Sequence, residues 1–186
     1  KFVHPDDTNR DEKEEYIRKK AEPAIRYAEI LLIYAEALNE LTGNYNIASW
    51  DEETQYTIQR NIDEMKKGIQ PIRIRAGIPD YTRSEYEDQD LFREKLKRER
   101  QIELMGEGHR YYDIRRWKDA EVEESLPIYG CNTLMTEKWR DVFHVPVAIP
   151  SLPTNFSRKM YFWPISHSEL KRNKMMTQNP GWTYND

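Results

Sequence analysis

The first sustained helical rhythm lies at residues 23–41, where Ile25, Ala28, Leu32 and Ala35 recur at spacings that share one helix face. Pro23 suits a first helical turn, where its missing N–H has no helical acceptor, and Gly43 is the expected stop. Ser49 followed by Glu52 has the spacing of a capping box. A second helix is therefore predicted, with Ile58, Ile62 and Met65 on one side and Gly68 at its end. Two antiparallel helices joined by a short linker result, and Ala28, Ala35 and Ala37 leave room for close approach. This is the unit of tetratricopeptide-like repeats. One hairpin cannot bury both of its faces, and the chain holds no second copy of the pattern. Exposed apolar patches are expected on residues 23–68, where helices further upstream would pack.

The rest of the chain is less regular. Residues 1–22 are charged and aperiodic and predict an irregular segment. Residues 69–86 hold two prolines among alternating apolar positions and read as an extended, ordered loop. A long helix is predicted from Asp88 or Gln89 to about Glu107, bending past Gly106 and Gly108 and resuming from Arg110 to Lys118. Pro127, Pro146, Pro150 and Pro153 mark a meander over residues 119–158 around a strand at 142–149. Ser166 with Glu169 forms a further capping box that opens a short helix before the tail. The fold class is all-α in the sense of mainly α, with long ordered loops, in a single region spanning residues 1–186.

Around the long helix, Phe92, Leu96, Glu99, Glu103, Glu107, Arg110, Asp113, Ile114 and Trp117 fall in one stripe roughly 120° wide. A solvated face would not need the aromatics, and an apolar face would not tolerate the glutamates. Paired burial satisfies both. The carboxylates at four-residue spacing repel one another unless cations sit against them, so Arg100, Arg110 or Arg115 are the expected partners. The expectation is a structural ion-pair network of Glu99, Arg100, Glu103, Glu107, Arg110 and Asp113 that fixes two helix segments. A catalytic carboxylate pair or a metal site is the weaker reading, because no histidine joins the row at ligand spacing.

Composition narrows the function classes. Twenty-nine basic against 33 acidic residues leave a net charge of -4, which gives no footprint for nucleic acid. The single cysteine, Cys131, has no internal disulfide partner, and no Cys/His set has zinc-ligand spacing. His4 beside Asp6 and Asp7 reads as solvated terminal charge, and His109, His144 and His167 are scattered. The longest apolar run, residues 30–34, is far too short to span a bilayer. The chain opens at Lys1 without Met and without a targeting pattern, which reads as a piece of a longer protein whose leader and lipid-attachment cysteine lie upstream. No phosphate-cradling glycine loop or nucleophile elbow is present, so no cofactor, catalytic residue or metal ligand is assigned.

Three segments carry a family resemblance. They are AIRYAEILLIYAEALNE at residues 24–40, RERQIELMGEGHRYYDIRRW at 98–117 and FWPISHSELKRNKMMTQNPGW at 162–182. In this order they resemble the C-terminal part of SusD/RagB proteins. The matching positions include Arg26, Tyr27, Glu29 and Tyr34 in the first segment, Glu99, Arg100, Glu103, Glu107, Gly108, Arg110 and Asp113 in the second, and Pro164, Glu169, Asn173 and Asn179 in the third. The resemblance implies a non-enzymatic outer-membrane lipoprotein of Bacteroidetes that captures a polysaccharide, an oligosaccharide or another nutrient and passes it to a TonB-dependent transporter. It also implies a mainly helical scaffold with tetratricopeptide-like hairpins, long ligand-facing loops, and most sugar-binding aromatics upstream of this chain.

Sugars stack on exposed Trp and Tyr rings, with polar side chains closing hydrogen bonds at the ring edge. Of the 5 Trp, Trp50 is expected to anchor packing, and Trp117, Trp163 and Trp182 to be structural. Trp139 in the meander, with Tyr129 and Asn132, is the leading ligand candidate, and Tyr81 follows. A helical-repeat scaffold that binds only proteins is the alternative function. A glycosidase would need two carboxylates about 5 to 10 Å apart across an open cleft.

Overall fold

The computed structural model describes residues 23–131, 143–151 and 154–183. These are mainly helical and fall into two compact units, one up to Glu107 and one from Gly108 onward.

In the first unit, α1 (Tyr27–Asn39) buries Ala28, Leu32, Ala35 and Leu38 along one face. α2 (Ile62–Arg75) packs against it through Met65, Gly68, Ile69 and Ile72. The Asn61 side chain caps α2 by accepting from the backbone N–H groups of Asp63 and Glu64, and those two acids favour the positive end of the helix. Gly68 lies inside α2, not at its end, because the helices approach closely there. A methyl group on Gly68 would sit 2.5 Å from the Leu31 carbonyl oxygen and 2.9 Å from the Ala35 Cβ. Pro71 also lies inside α2, at the cost of one helical hydrogen bond. The helix ends in a Schellman motif: Gly77 takes φ 72°, its N–H donates to Ile74, and the N–H of Ile78 donates to Arg73.

Besides the position of Gly68, two expectations fail in this stretch. The Ser49–Glu52 spacing does not open a helix. Residues 45–58 form an antiparallel hairpin, β1 (Tyr45–Ala48) with β2 (Gln55–Ile58), in the register Tyr45↔Ile58 and Ile47↔Tyr56. The Ser49 hydroxyl accepts from the Thr54 N–H and donates to Asp51, and Glu52 takes φ 62°, so the local bonds close a turn. Likewise residues 69–86 are not one extended loop. α2 continues to Arg75, and α3 (Arg83–Glu87) starts at a capping box between Thr82 and Glu85.

The Asp88 carboxylate caps α4 (Gln89–Glu103), which lays Phe92, Leu96, Glu99 and Arg100 into the unit and packs against α1. Tyr86 and Phe92 stack with centroids 4.6 Å apart, completing one apolar core with Leu32, Met65 and Ile69. The other face of α1 stays open: Tyr27 is 75% exposed, and Ile30, Ile33 and Tyr34 are exposed as well, as the unmatched hairpin predicts.

Gly106 and Gly108, both at positive φ, stop the helical path before α5 (His109–Arg116). In this second unit α6 (Ala120–Glu123) follows, and Ile114, Ala120 and Phe156 form a small core. β3 (Tyr129–Gly130) pairs with β4 (Val147–Ala148), and among the described residues the strand expected at 142–149 shrinks to these two residues of β4: residues 143–145 form a turn and Pro146 has no N–H to give a ladder. A 3-10 turn at Arg158–Tyr161 and α7 (His167–Arg172), capped by Ser166, complete it. Trp182 holds the tail: its indole N–H lies 3.0 Å from the carbonyls of both Lys159 and Phe162.

Gly68→Ala is expected to lower unfolding stability by about 1–2 kcal/mol, since overpacking against a backbone carbonyl outweighs a helix-propensity gain of about 1 kcal/mol. Gly43→Ala, where an added methyl meets nothing within 4 Å, is the control and should change little. Urea titrations followed by circular dichroism decide it, and a Gly68→Ala protein as stable as the parent would show that the helices can move apart freely.

Candidate functional site

Glu99, Glu103 and Glu107 descend one side of α4 and the turn after it, and each meets an arginine from outside α4. From the residue before α1, Arg26 donates through Nε to Glu107 at 2.7 Å and through Nη1 to Glu103 at 2.9 Å. Its Nη2 serves both the Glu103 backbone carbonyl and the second Glu107 oxygen, each at 2.9 Å. The last turn of α2 adds Arg75, whose Nη2 donates to Glu103, and Arg73, whose Nη1 reaches Glu99 at 2.6 Å. Burial raises the proton affinity of Glu103, but the hydrogen bonds from Arg75 and Arg26 together outweigh it and hold its carboxyl below the usual range. Bonding to Glu107 chiefly raises the affinity of Arg26 for its proton, against the opposing effect of burial. Carboxylates engaged in this way are structural counterions and poor general bases.

The partners differ from those expected along the helix. Arg100 is buried and faces Glu36 of α1 at 3.9 Å. Arg110 pairs with Glu123 and Asp113 with Arg116 at 2.8 Å, all within the second unit, where Arg115 also grips Glu124 through two bonds. Within the first unit these bonds tie α4 and the turn after it to α1, the residue before it and α2. Sequence spacing exposes only neighbours on the same helix, whereas Arg26 lies 77 residues from Glu103 and 81 from Glu107.

A second polar junction has no signal in the spacing. Asn39, fully buried at the end of α1, exchanges hydrogen bonds with Gln89: its amide donates to the Gln89 carbonyl at 3.1 Å, and the Gln89 amide returns one to the Asn39 carbonyl at 2.5 Å. Arg60 donates to the Asn39 side-chain oxygen at 3.0 Å and to the Tyr86 carbonyl at 2.5 Å.

Of the ligand candidates, Trp139 and Asn132 lie outside the described residues. Tyr129 is exposed on β3. Tyr81 is partly buried; its hydroxyl donates to Glu99 at 2.8 Å and the Arg73 guanidinium covers its ring at 3.9 Å. Burial first, then that bond to Glu99, raises its proton affinity well above that of a free tyrosine. Tyr81 and Tyr129 belong to different compact units. Trp182 is held by two backbone carbonyls, and Trp117 lies under the Arg116 guanidinium at 4.6 Å. Trp50 and Trp163 do not anchor packing: they are 95% and 75% exposed. Trp50 stands on the turn of a hairpin with no core beneath it, and Trp163 precedes Pro164, where the chain runs along the surface.

Tyr27, Ala28, Leu31, Pro71 and Ile72, with Arg26 and Arg75, line a cavity of ≈ 440 Å³. Both guanidiniums are already neutralised by Glu103 and Glu107, so the lining suits an uncharged, largely apolar body better than an anion.

Removing Arg26 takes the two-nitrogen clamp from Glu107 and leaves Arg75 on Glu103. Arg26→Met is expected to cost roughly 2 kcal/mol, less than a fully buried pair because the guanidinium is partly solvated. The pH dependence has a definite sign. The folded-state affinity of Glu103 for a proton is lowered, so its contribution is complete above the unfolded carboxylate range, near about 4.3, and fades as pH falls further. Melting temperatures from pH 6 to 3 should drop less steeply in Glu103→Gln than in the parent. Identical slopes would deny Glu103 that role.

Comparison with known proteins agrees with this architecture. A sequence model of the SusD family matches residues 1–182. The SusD-like protein P2 of Formosa agariphila is 32% identical over 162 residues, covering 85% of this chain and 25% of that protein. A solved structure described as selenomethionine BT4246 superposes with a TM-score of 0.69 at 26% identity, over 88% of this chain and 25% of that one. A SusD-like protein (BF3747) from Bacteroides fragilis gives 0.61 at 28% identity, over 85% and 25%. The chain thus spans about a quarter of the length of these relatives. With nearly its whole length matched by one family and its helices superposing on solved members, this chain belongs to the SusD family.

Proposed function

We propose that this chain is the C-terminal region of a non-enzymatic protein of the bacterial outer-membrane surface, which captures a polysaccharide, an oligosaccharide or another nutrient and delivers it to a TonB-dependent transporter. The family match over residues 1–182 carries this reading. The chemistry of the acidic row supports it, since Glu99, Glu103 and Glu107 are all bound by arginines and present no open carboxylate pair of the kind glycoside hydrolysis uses. Among the described residues no helix is long and apolar enough to cross a membrane; attachment is assigned to a lipid on a segment outside this chain. Residues 1–186 act as one region of that larger protein, with Glu99, Arg100, Glu103, Glu107, Arg110 and Asp113 in structural roles. Ligand contact is assigned first to Trp139, Tyr129 and Asn132, and then to Tyr81.

The open apolar row Tyr27, Ile30, Ile33 and Tyr34 on α1 favours a second reading, a helical-repeat scaffold that holds proteins and touches no ligand. Calorimetry of the full-length protein against a panel of neutral and acidic oligosaccharides separates the two. The first reading expects saturable binding in the micromolar to millimolar range, about -8 to -4 kcal/mol, with no release of reducing sugar. Tyr129→Ala should then weaken binding without moving the melting temperature. Binding to a transporter with no response to any glycan would establish the scaffold, and release of reducing sugar would overturn both.

A further inference from the structure

We draw no further inference here: the strongest candidate, the cavity between α1 and α2 lined by Tyr27, Leu31, Pro71 and Ile72 beside the exposed apolar row of α1, lies on a chain that spans about a quarter of its relatives' length, and nothing in the structure shows what covers it.

Discussion

The first unit depends on one guanidinium. Arg26, just before α1, uses Nε and both terminal nitrogens to hold Glu103, Glu107 and the last backbone carbonyl of α4. Each role is needed for a separate physical reason. The carboxylates are too enclosed to be left uncompensated, and the carbonyls at a helix C-terminus have no helical donors of their own. A lysine offers one point charge and could not span the group; the planar fork of arginine does. Because the clamp joins the start of α1 to the end of α4, and Arg73 and Arg75 bring in α2, the three helices share a single electrostatic closure at this end. At the opposite end, Asn39, Gln89 and Arg60 close the bundle with hydrogen bonds around a buried amide.

Much of the helical scaffold was legible because its helices are amphipathic and most of their caps are local. The periodicity of Ala28, Leu32 and Ala35, and the run from Phe92 to Leu96, report directly on buried faces. The caps at Asp88 and Ser166 act within three residues and show in the sequence for that reason. Gly68 misled because glycine has two uses. It can end a helix, or it can let a neighbouring backbone come close, and only the position of Leu31 decides between them. Gly77 carried the stop signal, followed by Ile78 and Pro79. Ser49 misled similarly: a serine that can cap a helix can equally close a turn, and the alternation Tyr45, Ile47 and Tyr56, Ile58 was the better guide.

The site was less legible than the scaffold. That the acidic row needs compensating charge follows from its spacing, but its partners come from distant helices and required the fold. Exposure of aromatics follows from tertiary cover, which the residue type does not encode. Trp182 and Trp50 look alike as letters, yet one donates to two carbonyls and the other has almost its whole surface in solvent.

The close approach at Gly68 has a consequence for variation. Where a backbone carbonyl occupies the place of a Cβ, the distance between α1 and α2 is set by main chain against main chain. Ile72 in the same groove belongs to the core and is held to its size, whereas Tyr27 and Pro71, which also line the cavity, are exposed and do not act as spacers. Those two can be exchanged for larger or smaller side chains while the helices keep their separation, so the rim of the hollow can be retuned for a new occupant without rebuilding its walls.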